Sequence, residues 1–508
     1  MNRPFLAGLL GLLLMLVAPV ARAHVGSPHV VFEGRAGTIP VRVVVRQPDV
    51  VPGLADISVR VLEGAPGTVR VLPLHWTTDR AGAPRPDLAE PVLGETNLFS
   101  AALWFMARGA YGVEVRVEGP GGGAVLVPVN SVAYERRPMP AGLGVLLAGL
   151  GLLLVAGVIG IVAAAAREAT LPGGRVPGRG RTLASVAAGI LALGLVGLAL
   201  LGGRRWWDSE DAQHVRRNLF RQFTHDLEVR PDSQGAQLQM TITDSRRRES
   251  QYRLVPDHGK LVHQFLVSAD APAGTGVPTL VHLHPVPQKM QEYAAALPSL
   301  PAGTYRVFTD LTHESGSTQT LTNSVVIPAG LAVGRPSDPD DSVAPATASP
   351  GNPAAMGDGL TVEFWSGVVR PGDVSVLRFR VRKADGSPAI LEPYLRMLGH
   401  AVVMRSDGSV FAHVHPAGTL SMSAARRFAV RSGGEGLGRE TDANCGDLEA
   451  VPPEVAAALG RTGEVQFPYV FPQSGTYWVW VQVRVDGKIR ATGFRVDVPE
   501  AGAGGRRS

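Results

Sequence analysis

Histidines occur in two similar blocks in the C-terminal half of this 508-residue chain. His282 and His284 are separated by one residue, as are His413 and His415, and a proline directly follows each pair. On a β-strand, the side chains at positions i and i+2 point to the same face of the sheet. Each pair would therefore present two imidazoles side by side.

A third histidine precedes each pair, His263 in the first block and His400 in the second. Paired residues on neighbouring antiparallel strands have Cβ atoms about 4.5–5.5 Å apart. Three imidazoles placed in this way can converge on one metal ion, with nitrogen-to-zinc distances of about 2.0–2.1 Å. The alternative is that these histidines only pack and hydrogen-bond inside a sandwich, and the residues leave both interpretations open.

The first block has further candidate ligands nearby in sequence, His258 and Asp310. We predict that His263, His282 and Asp310 line one pocket. His284 or His258 would be a further ligand. Imidazole and carboxylate groups suit Zn, Ni or Cu(II), so this block should favour a divalent ion.

The second block differs in its extra ligands. Gln482 stands where the first copy has Asp310, and a neutral amide is a poor replacement for a carboxylate ligand. Met404 lies an even number of residues after His400, and Met422 lies just after the second histidine pair. Thioether sulfur favours Cu(I), so we predict copper as the cofactor, with zinc as the alternative. Met404 has an alternative place in the apolar core, where methionine usually packs.

The histidine blocks belong to an internal repeat of two β domains, 215–328 and 360–498. A segment rich in Pro, Asp, Ser and Ala joins them, and we expect a flexible linker over 329–359. Three segments of the first copy match the second in the same order: Leu261–Val267 with Leu398–Met404, Leu280–Pro285 with Phe411–Pro416, and Pro301–Phe308 with Gln473–Trp480.

Residues 24–133 are predicted to form another β-sandwich, because short β-branched runs such as Val41–Arg46 and Tyr111–Val117 alternate with Gly-rich turns. Two long apolar segments follow, 141–166 and 182–203, each long enough to cross a bilayer. The predicted fold class is therefore mainly β: three exported, Ig-like β-sandwich domains plus a two-helix transmembrane hairpin.

Residues 1–23 have the features of a signal peptide, with Arg3, an apolar segment and Ala-Arg-Ala before the cleavage point. A signal peptide would export the residues that follow it, and two spans would return the chain to the exported side. We therefore expect the loop 167–181 in the cytoplasm and the segments before and after the hairpin outside. Cleavage would leave His24 at the N-terminus, where its α-amine and imidazole can chelate Cu(II). His29 and His75 are candidates to complete such a brace; the alternative is that His24 follows the cut by chance.

The segments 223–328 and 360–498, with His-Leu-His-Pro in the first copy and Gly-Thr-Tyr in both, resemble the YtkA-like, FixH-related β-sandwich domains of bacterial exported proteins. That resemblance implies an exported sandwich fold and a context of copper handling. The start at His24, followed by an Ig-like strand pattern, resembles more weakly the CopC-type periplasmic copper carriers.

Composition and motifs exclude several function classes. The net charge of +5 and the lack of a Lys/Arg cluster argue against nucleic acid as a partner. There is no G-x-S-x-G, H-E-x-x-H or Walker motif, and Cys445 is the only cysteine, so we predict no enzymatic activity.

We expect a metal-binding protein anchored in the bacterial inner membrane, with its domains in the periplasm, that buffers, senses or delivers copper. Its partners would be the lipid bilayer and a metal-acceptor or membrane-complex protein. The alternative is a scaffold for assembling a membrane complex without binding metal.

Overall fold

The computed structural model divides the chain into two units, one formed by residues 1–131 and 221–508 and the other by 132–220. It describes residues 24–25, 29–48, 50–64, 66–78, 80–131, 139–218, 223–233, 235–243, 253–271, 276–347, 352–431 and 453–500.

The smaller unit contains two long helices, α1 (Ala141–Glu168) and α2 (Arg179–Asn218). Both are long and apolar enough to cross a membrane, and they contain the two predicted spans. Small residues let the helices approach: Gly189 faces Ile159 and Ala163, and Ser185 donates a hydrogen bond to the Ala163 carbonyl at 2.8 Å. Helix α2 continues to Asn218, beyond the predicted end of the apolar span at residue 203, and most of the added residues are polar or charged.

The larger unit is built from β-sheets, and the chain is mainly β as predicted. A short strand, β1 (His24–Val25), comes first. The N-terminal sandwich then packs sheet β2-β3-β4-β8-β7 against sheet β10-β9-β5-β6. Its strands are β2 (His29–Ala36), β3 (Ile39–Arg46), β4 (Gly53–Val61), β5 (Val69–His75), β6 (Asp87–Leu88), β7 (Glu90–Pro91), β8 (Leu98–Phe105), β9 (Gly109–Val117) and β10 (Gly123–Ser131).

The first repeat packs sheet β11-β12-β16-β15 against sheet β18-β17-β13-β14-β19. Its strands are β11 (Thr224–Asp232), β12 (Gly235–Thr243), β13 (Val262–Ser268), β14 (Leu280–Leu283), β15 (Val286–Lys289), β16 (Glu292–Ala296), β17 (Gly303–Thr312), β18 (Thr318–Ile327) and β19 (Ser342–Ala344).

The second repeat packs sheet β20-β21-β22-β25 against sheet β1-β24-β23-β26-β27. Its other elements are β20 (Ala354–Gly357), β21 (Leu360–Trp365), β22 (Val374–Arg382), β23 (His400–Arg405), β24 (Val410–Val414), α3 (Met422–Arg431), α4 (Pro453–Gly460), β25 (Glu464–Val470), β26 (Gly475–Val485) and β27 (Lys488–Val498).

The two repeats share the same strand register. His263 on β13 lies opposite Asp310 on β17, and His400 on β23 lies opposite Gln482 on β26. These pairs match the sequence alignment of the repeat. A second pair of equivalent positions is His282 opposite Phe265 and His413 opposite Val402. A tyrosine hydrogen bond also recurs: the hydroxyl of Tyr305 donates to the Pro301 carbonyl, and that of Tyr477 donates to the Gln473 carbonyl.

The two five-stranded sheets of the repeats pack against each other through their outer faces. Leu266 lies inside the first-repeat sandwich, while its neighbour Phe265 faces the second repeat. In the second repeat Val403 points inward and Val402 faces the first repeat. Strands that are buried on both faces have continuous apolar runs, and these sheets have them. The histidine blocks lie on the same outer faces.

The segment that we expected to be a flexible linker, 329–359, is instead ordered over most of its length. Strand β19 pairs with β14 and completes the first-repeat sheet. Lys260 Nζ lies 2.6 Å from Asp338 and 2.9 Å from Asp340. The edge of β14 and the side chain of Lys260 are the partners that order this segment, and its composition rich in Pro, Asp and Ser does not reveal them. Residues 348–351 lie outside the described residues.

The N-terminal sandwich packs directly on the second repeat. The backbone N–H of Val31 donates to Thr419 Oγ1 at 3.0 Å, and that of Glu33 donates to the Ala417 carbonyl at 2.9 Å. Met422, the first residue of α3, is buried in the core of the N-terminal sandwich. The chain segments before and after the helical hairpin therefore fold as one unit.

Candidate metal centre

Seven histidines with buried side chains converge where the outer faces of the two repeats meet. Strands β13 and β23 each supply one, the ends of β14 and β24 supply two each, and a turn before β13 supplies another. The sheet register explains the convergence, because equivalent positions of the facing sheets meet across the interface. Neighbouring rings have centroids 4.4–6.2 Å apart. The seven are His258, His263, His282, His284, His400, His413 and His415.

His263 and His282 point ring nitrogens at each other, with Nδ1 and Nε2 3.2 Å apart. The other nitrogen of each ring faces an oxygen: His263 Nε2 lies 3.1 Å from the Asp257 carbonyl, and His282 Nδ1 lies 3.1 Å from Gln482 Oε1. The Gln482 amide nitrogen donates to Ser342 Oγ at 2.7 Å, and its oxygen faces His282.

These contacts favour one placement of the ring protons. When each outer nitrogen donates to the oxygen it faces, the neutral rings have lone pairs on His263 Nδ1 and His282 Nε2. Two lone pairs at 3.2 Å cannot hydrogen-bond to each other. Two nitrogens bound to one tetrahedral ion at about 2.0–2.1 Å would stand about 3.3 Å apart, so the observed separation suits a shared metal ion.

His284 completes the group that we call the first-repeat triad, His263, His282 and His284, whose ligand atoms all lie within 4.8 Å of one another. Its Nδ1 lies 3.1 Å from Asp341 Oδ1, which also accepts the His284 backbone N–H at 2.8 Å. The Nε2 of His284 is buried and has no hydrogen-bond partner among the described residues. A carboxylate that orients a histidine in this way is typical of metal ligands.

A second group combines ligands from both repeats, and we call it the cross-repeat triad: His258, His400 and His415. His258 Nε2 and His415 Nε2 lie 3.2 Å apart, and His415 Nδ1 lies 3.0 Å from the Leu420 carbonyl. Both ring nitrogens of His400 are buried without a hydrogen-bond partner among the described residues.

His413 lies between the two triads. Its ring centroid is 5.3 Å from that of His263 and 5.2 Å from that of His400. Its Nδ1 is 3.7 Å from Asp310 Oδ2, and its buried Nε2 has no hydrogen-bond partner in the described parts of the chain. The two triads are therefore adjacent parts of one cluster.

Burial keeps the cluster uncharged. Desolvation lowers the pKa of His263 to about 4 and that of His258 to about 3, and it lowers the pKa of the other five as well. Desolvation also raises the pKa of Asp310 and of Asp341 to about 7. Neutral imidazole is the form that binds metal, and nearby carboxyl groups can compensate the charge of a buried cation.

The structure brings together the predicted histidines of both blocks, although we expected two separate sites, one in each repeat. His263 and His282 are in contact, whereas Asp310 directs its carboxyl group toward His413 and accepts a hydrogen bond from Thr320 at 2.5 Å. Continuous apolar strands indicate that both faces are buried, but they do not show which partner covers each face, and the joint cluster was therefore not predicted.

The two predicted sulfur ligands lie in apolar surroundings. Met404 packs with Phe265 and Trp480 in the interface between the repeats, and Met422 packs in the N-terminal core. Met404 thus has the core position that we considered as its alternative.

The N-terminal brace remains a prediction. His24 belongs to β1, which pairs in parallel with β24, and its side chain lies outside the described part of the structure. His75 Nδ1 lies 2.7 Å from Thr77 Oγ1, and its Nε2 lies 3.1 Å from the Arg108 carbonyl.

Sequence reasoning missed the turn that carries Asp257 and His258. His258 has a φ of 50°, and the backbone of Asp257 exchanges two hydrogen bonds with that of Lys260. The equivalent turn of the second repeat starts at Tyr394 and has Leu395 at a φ of 49°. The recurrence of Pro-x-x-x-x-Leu-x-His, starting at residues 256 and 393, was the available signal.

Comparisons with known proteins add little about function. The family model "Domain of unknown function (DUF8832)" matches residues 354–500, which contain three of the seven clustered histidines. No curated protein matches the chain.

Similar solved structures include a tetra-tandem repeat from the extending region of a large adhesion protein (11% identity, covering 89% of this chain and 71% of that one, TM-score 0.14). Another is the Escherichia coli adhesin FdeC (9% identity, 93% and 98% covered, TM-score 0.14). A third is a putative membrane-anchored protein from Corynebacterium diphtheriae (9% identity, 93% and 96% covered, TM-score 0.15). Similarity at these TM-scores carries no argument about function.

Proposed function

We propose that this chain is a membrane-anchored metal-binding protein that holds copper in the first-repeat triad. The observation that carries the proposal is the pair of facing ring nitrogens of His263 and His282, 3.2 Å apart, beside the buried, unpartnered Nε2 of His284. A buried ring nitrogen left without a partner costs about 1–3 kcal/mol, and a bound cation would remove that cost.

Copper is the preferred ion because the triad consists of imidazoles alone. Among divalent first-row metals, nitrogen ligands bind Cu²⁺ most tightly, and imidazole suits both copper and zinc. Zinc is therefore the alternative ion. The neutral rings and their oxygen partners outside the triad would orient ligands for either metal.

Burial of the triad supports retention of the ion rather than rapid transfer. His263, His282 and His284 are 3%, 0% and 1% exposed. An ion held at this depth can leave only when the interface between the repeats opens. Among the roles that we considered, long-lived storage or sensing fits such burial better than delivery to a metal-acceptor protein.

Helices α1 and α2 support attachment to the membrane, and we place the β unit on the periplasmic side of a bacterial inner membrane. Residues before and after the hairpin fold together, so the hairpin would have to return the chain to the side it came from. A signal peptide over residues 1–23 would make that side the exported one.

Metal titration of the full chain in detergent micelles tests the proposal. The apo protein, stripped with a chelator, should bind Cu(II) tightly, and the His263→Leu and His282→Leu variants should each bind at least one ion fewer. His225→Leu is the matched control, because His225 is also a buried histidine of the first repeat. Equal copper content in all four proteins would exclude the triad as the site and favour the scaffold function.

A further inference from the structure

We infer that the chain holds a second metal ion in the cross-repeat triad and that the two ions together form a dinuclear centre. This inference rests on the proposed function of the first-repeat triad. It adds a ligand set that shares no residue with the first one: His258, His400 and His415.

The geometry of the second set resembles that of the first. His258 Nε2 and His415 Nε2 are 3.2 Å apart, close to the separation of about 3.3 Å expected for two ligands of one tetrahedral ion. His415 Nδ1 lies 3.0 Å from the Leu420 carbonyl, an acceptor that fixes its proton and leaves Nε2 with a lone pair.

His400 supplies an independent indication of a ligand. The residue is 0% exposed, and both of its ring nitrogens lack a hydrogen-bond partner among the described residues. Buried polar atoms are nearly always satisfied, so an orphaned imidazole among other imidazoles points to an ion.

The comparison of the repeats identifies His258 as the distinguishing residue. The second repeat has the same hydrogen-bonded turn, but Leu395 occupies the place of His258. The first repeat therefore adds His258 to the histidines of the second repeat, whereas the equivalent turn of the second repeat has no ligand to add to the first. Asp257, next to His258, also accepts the backbone N–H of Ser423 at 3.1 Å and secures this turn to the second repeat.

The two ions would lie next to each other because His413 touches both triads. Its ring centroid is 5.3 Å from that of His263 and 4.5 Å from that of His415. Its buried Nε2 has no partner in the described part of the chain, so it can act as a further ligand to one of the ions. A second ion would also cross-link the repeats, since its ligands come from both.

The test compares the number of copper ions bound per chain in the parent and in each variant. Each full chain, in detergent, is incubated with the same excess of Cu(II), and unbound copper is removed by gel filtration. His258→Leu copies the residue of the equivalent turn, and His258→Asn retains a residue type that tolerates a positive φ. Each variant should hold one copper ion fewer than the parent, and His282→Leu should also hold one fewer. The double variant His258→Leu/His282→Leu should hold two fewer, and His225→Leu should match the parent.

The outcomes separate the two proposals. If the His258 variants retain the parent's copper while His282→Leu loses one ion, the second site is wrong and the proposed function stands. If the single and double variants all lose the same one ion, there is a single mixed site, which also overturns the inference. If no variant changes the copper content, the proposed function itself fails. Circular dichroism of each apo variant identifies any loss of metal that is due to misfolding.

Discussion

Gln482 of the second repeat directs Oε1 toward Nδ1 of His282 of the first, and the two atoms are 3.1 Å apart. The equivalent residue of the first repeat, Asp310, directs Oδ2 toward Nδ1 of His413 at 3.7 Å. Each sandwich thus supplies the oxygen that faces a histidine of the other. Asp310 and Gln482 occupy equivalent positions, and each faces a histidine that it can orient. The sequence had instead suggested that the change from Asp310 to Gln482 removes a metal ligand.

Replacement of Gln482 by leucine should weaken copper binding at the first-repeat triad by about 10–100-fold, because His282 Nδ1 loses the nearer of the two oxygens that face it, at 3.1 Å against 3.4 Å for Tyr394 Oη. Gln482→Glu restores an acceptor and should recover most of the affinity. A competition titration against a chelator of known affinity measures the change. Gln264→Leu, at another fully buried glutamine, is the control, and an equal loss in both leucine variants would contradict an orienting role.

Asp341 should act on His284 in the same manner. Asp341→Asn keeps an oxygen that can accept from both the His284 ring and its backbone N–H, whereas Asp341→Leu removes it. We therefore expect nearly parental copper affinity in the asparagine variant and a loss of about 10–100-fold in the leucine variant. The same chelator competition measures both, and equal affinities in the two variants would rule out the orienting contact.

His225 should make the apo protein less stable in acid. Burial lowers its pKa to about 4 in the folded chain, against an ordinary value of 6.5. Between these values the unfolded state binds more protons, so stability falls as pH falls from about 6.5 to about 4 and is unaffected outside that window. From pH 7 to pH 5, His225 should lower the free energy of unfolding by about 2 kcal/mol.

Denaturant unfolding of the metal-free chain in detergent at pH 7 and pH 5 measures this effect. His225→Leu should lose about 2 kcal/mol less than the parent over this interval, since the clustered histidines titrate in both proteins and cancel in the comparison. The same pH dependence in parent and variant would show that His225 does not titrate as its burial requires.

Membrane topology is tested with a reporter enzyme that is active only after export. Fusions after residue 130 and residue 350 should be active, and a fusion after residue 175, between α1 and α2, should be inactive. The physical reason is that two spans return the chain to its starting side. Activity at only one of the two outer positions would refute the hairpin arrangement.

The sequence predicted the mainly β fold and the pairing of each leading histidine with its neighbours, because a period of two residues determines which side chains share a face. His263 and His282, for example, meet as the spacing required. It did not predict that the faces carrying these histidines pack against each other. Residues such as Phe265 and Leu266 are both apolar, and such a run does not reveal which partner covers which face.

The positions of two groups in and around the cluster could also not be predicted from sequence patterns. His258 lies on a tight turn whose direction depends on two successive positive φ angles, and Asp341 lies in a segment whose composition is typical of linkers. Their positions result from tertiary packing: the recurrent Pro-x-x-x-x-Leu-x-His motif marks the turn of His258, but it does not show which residues the turn meets.

The contact between Val31 and Thr419 has a consequence for biogenesis. These residues are separated by 388 positions, so at ribosomal rates of 5–20 residues per second the first exists for roughly 20 to 80 seconds before the second. During that interval Val31 on β2 and Val44 on β3 lack Val470, the residue against which they pack in the folded chain. A holding chaperone, or slow closure of the N-terminal sandwich, would protect the nascent chain from aggregation until the C-terminal half arrives.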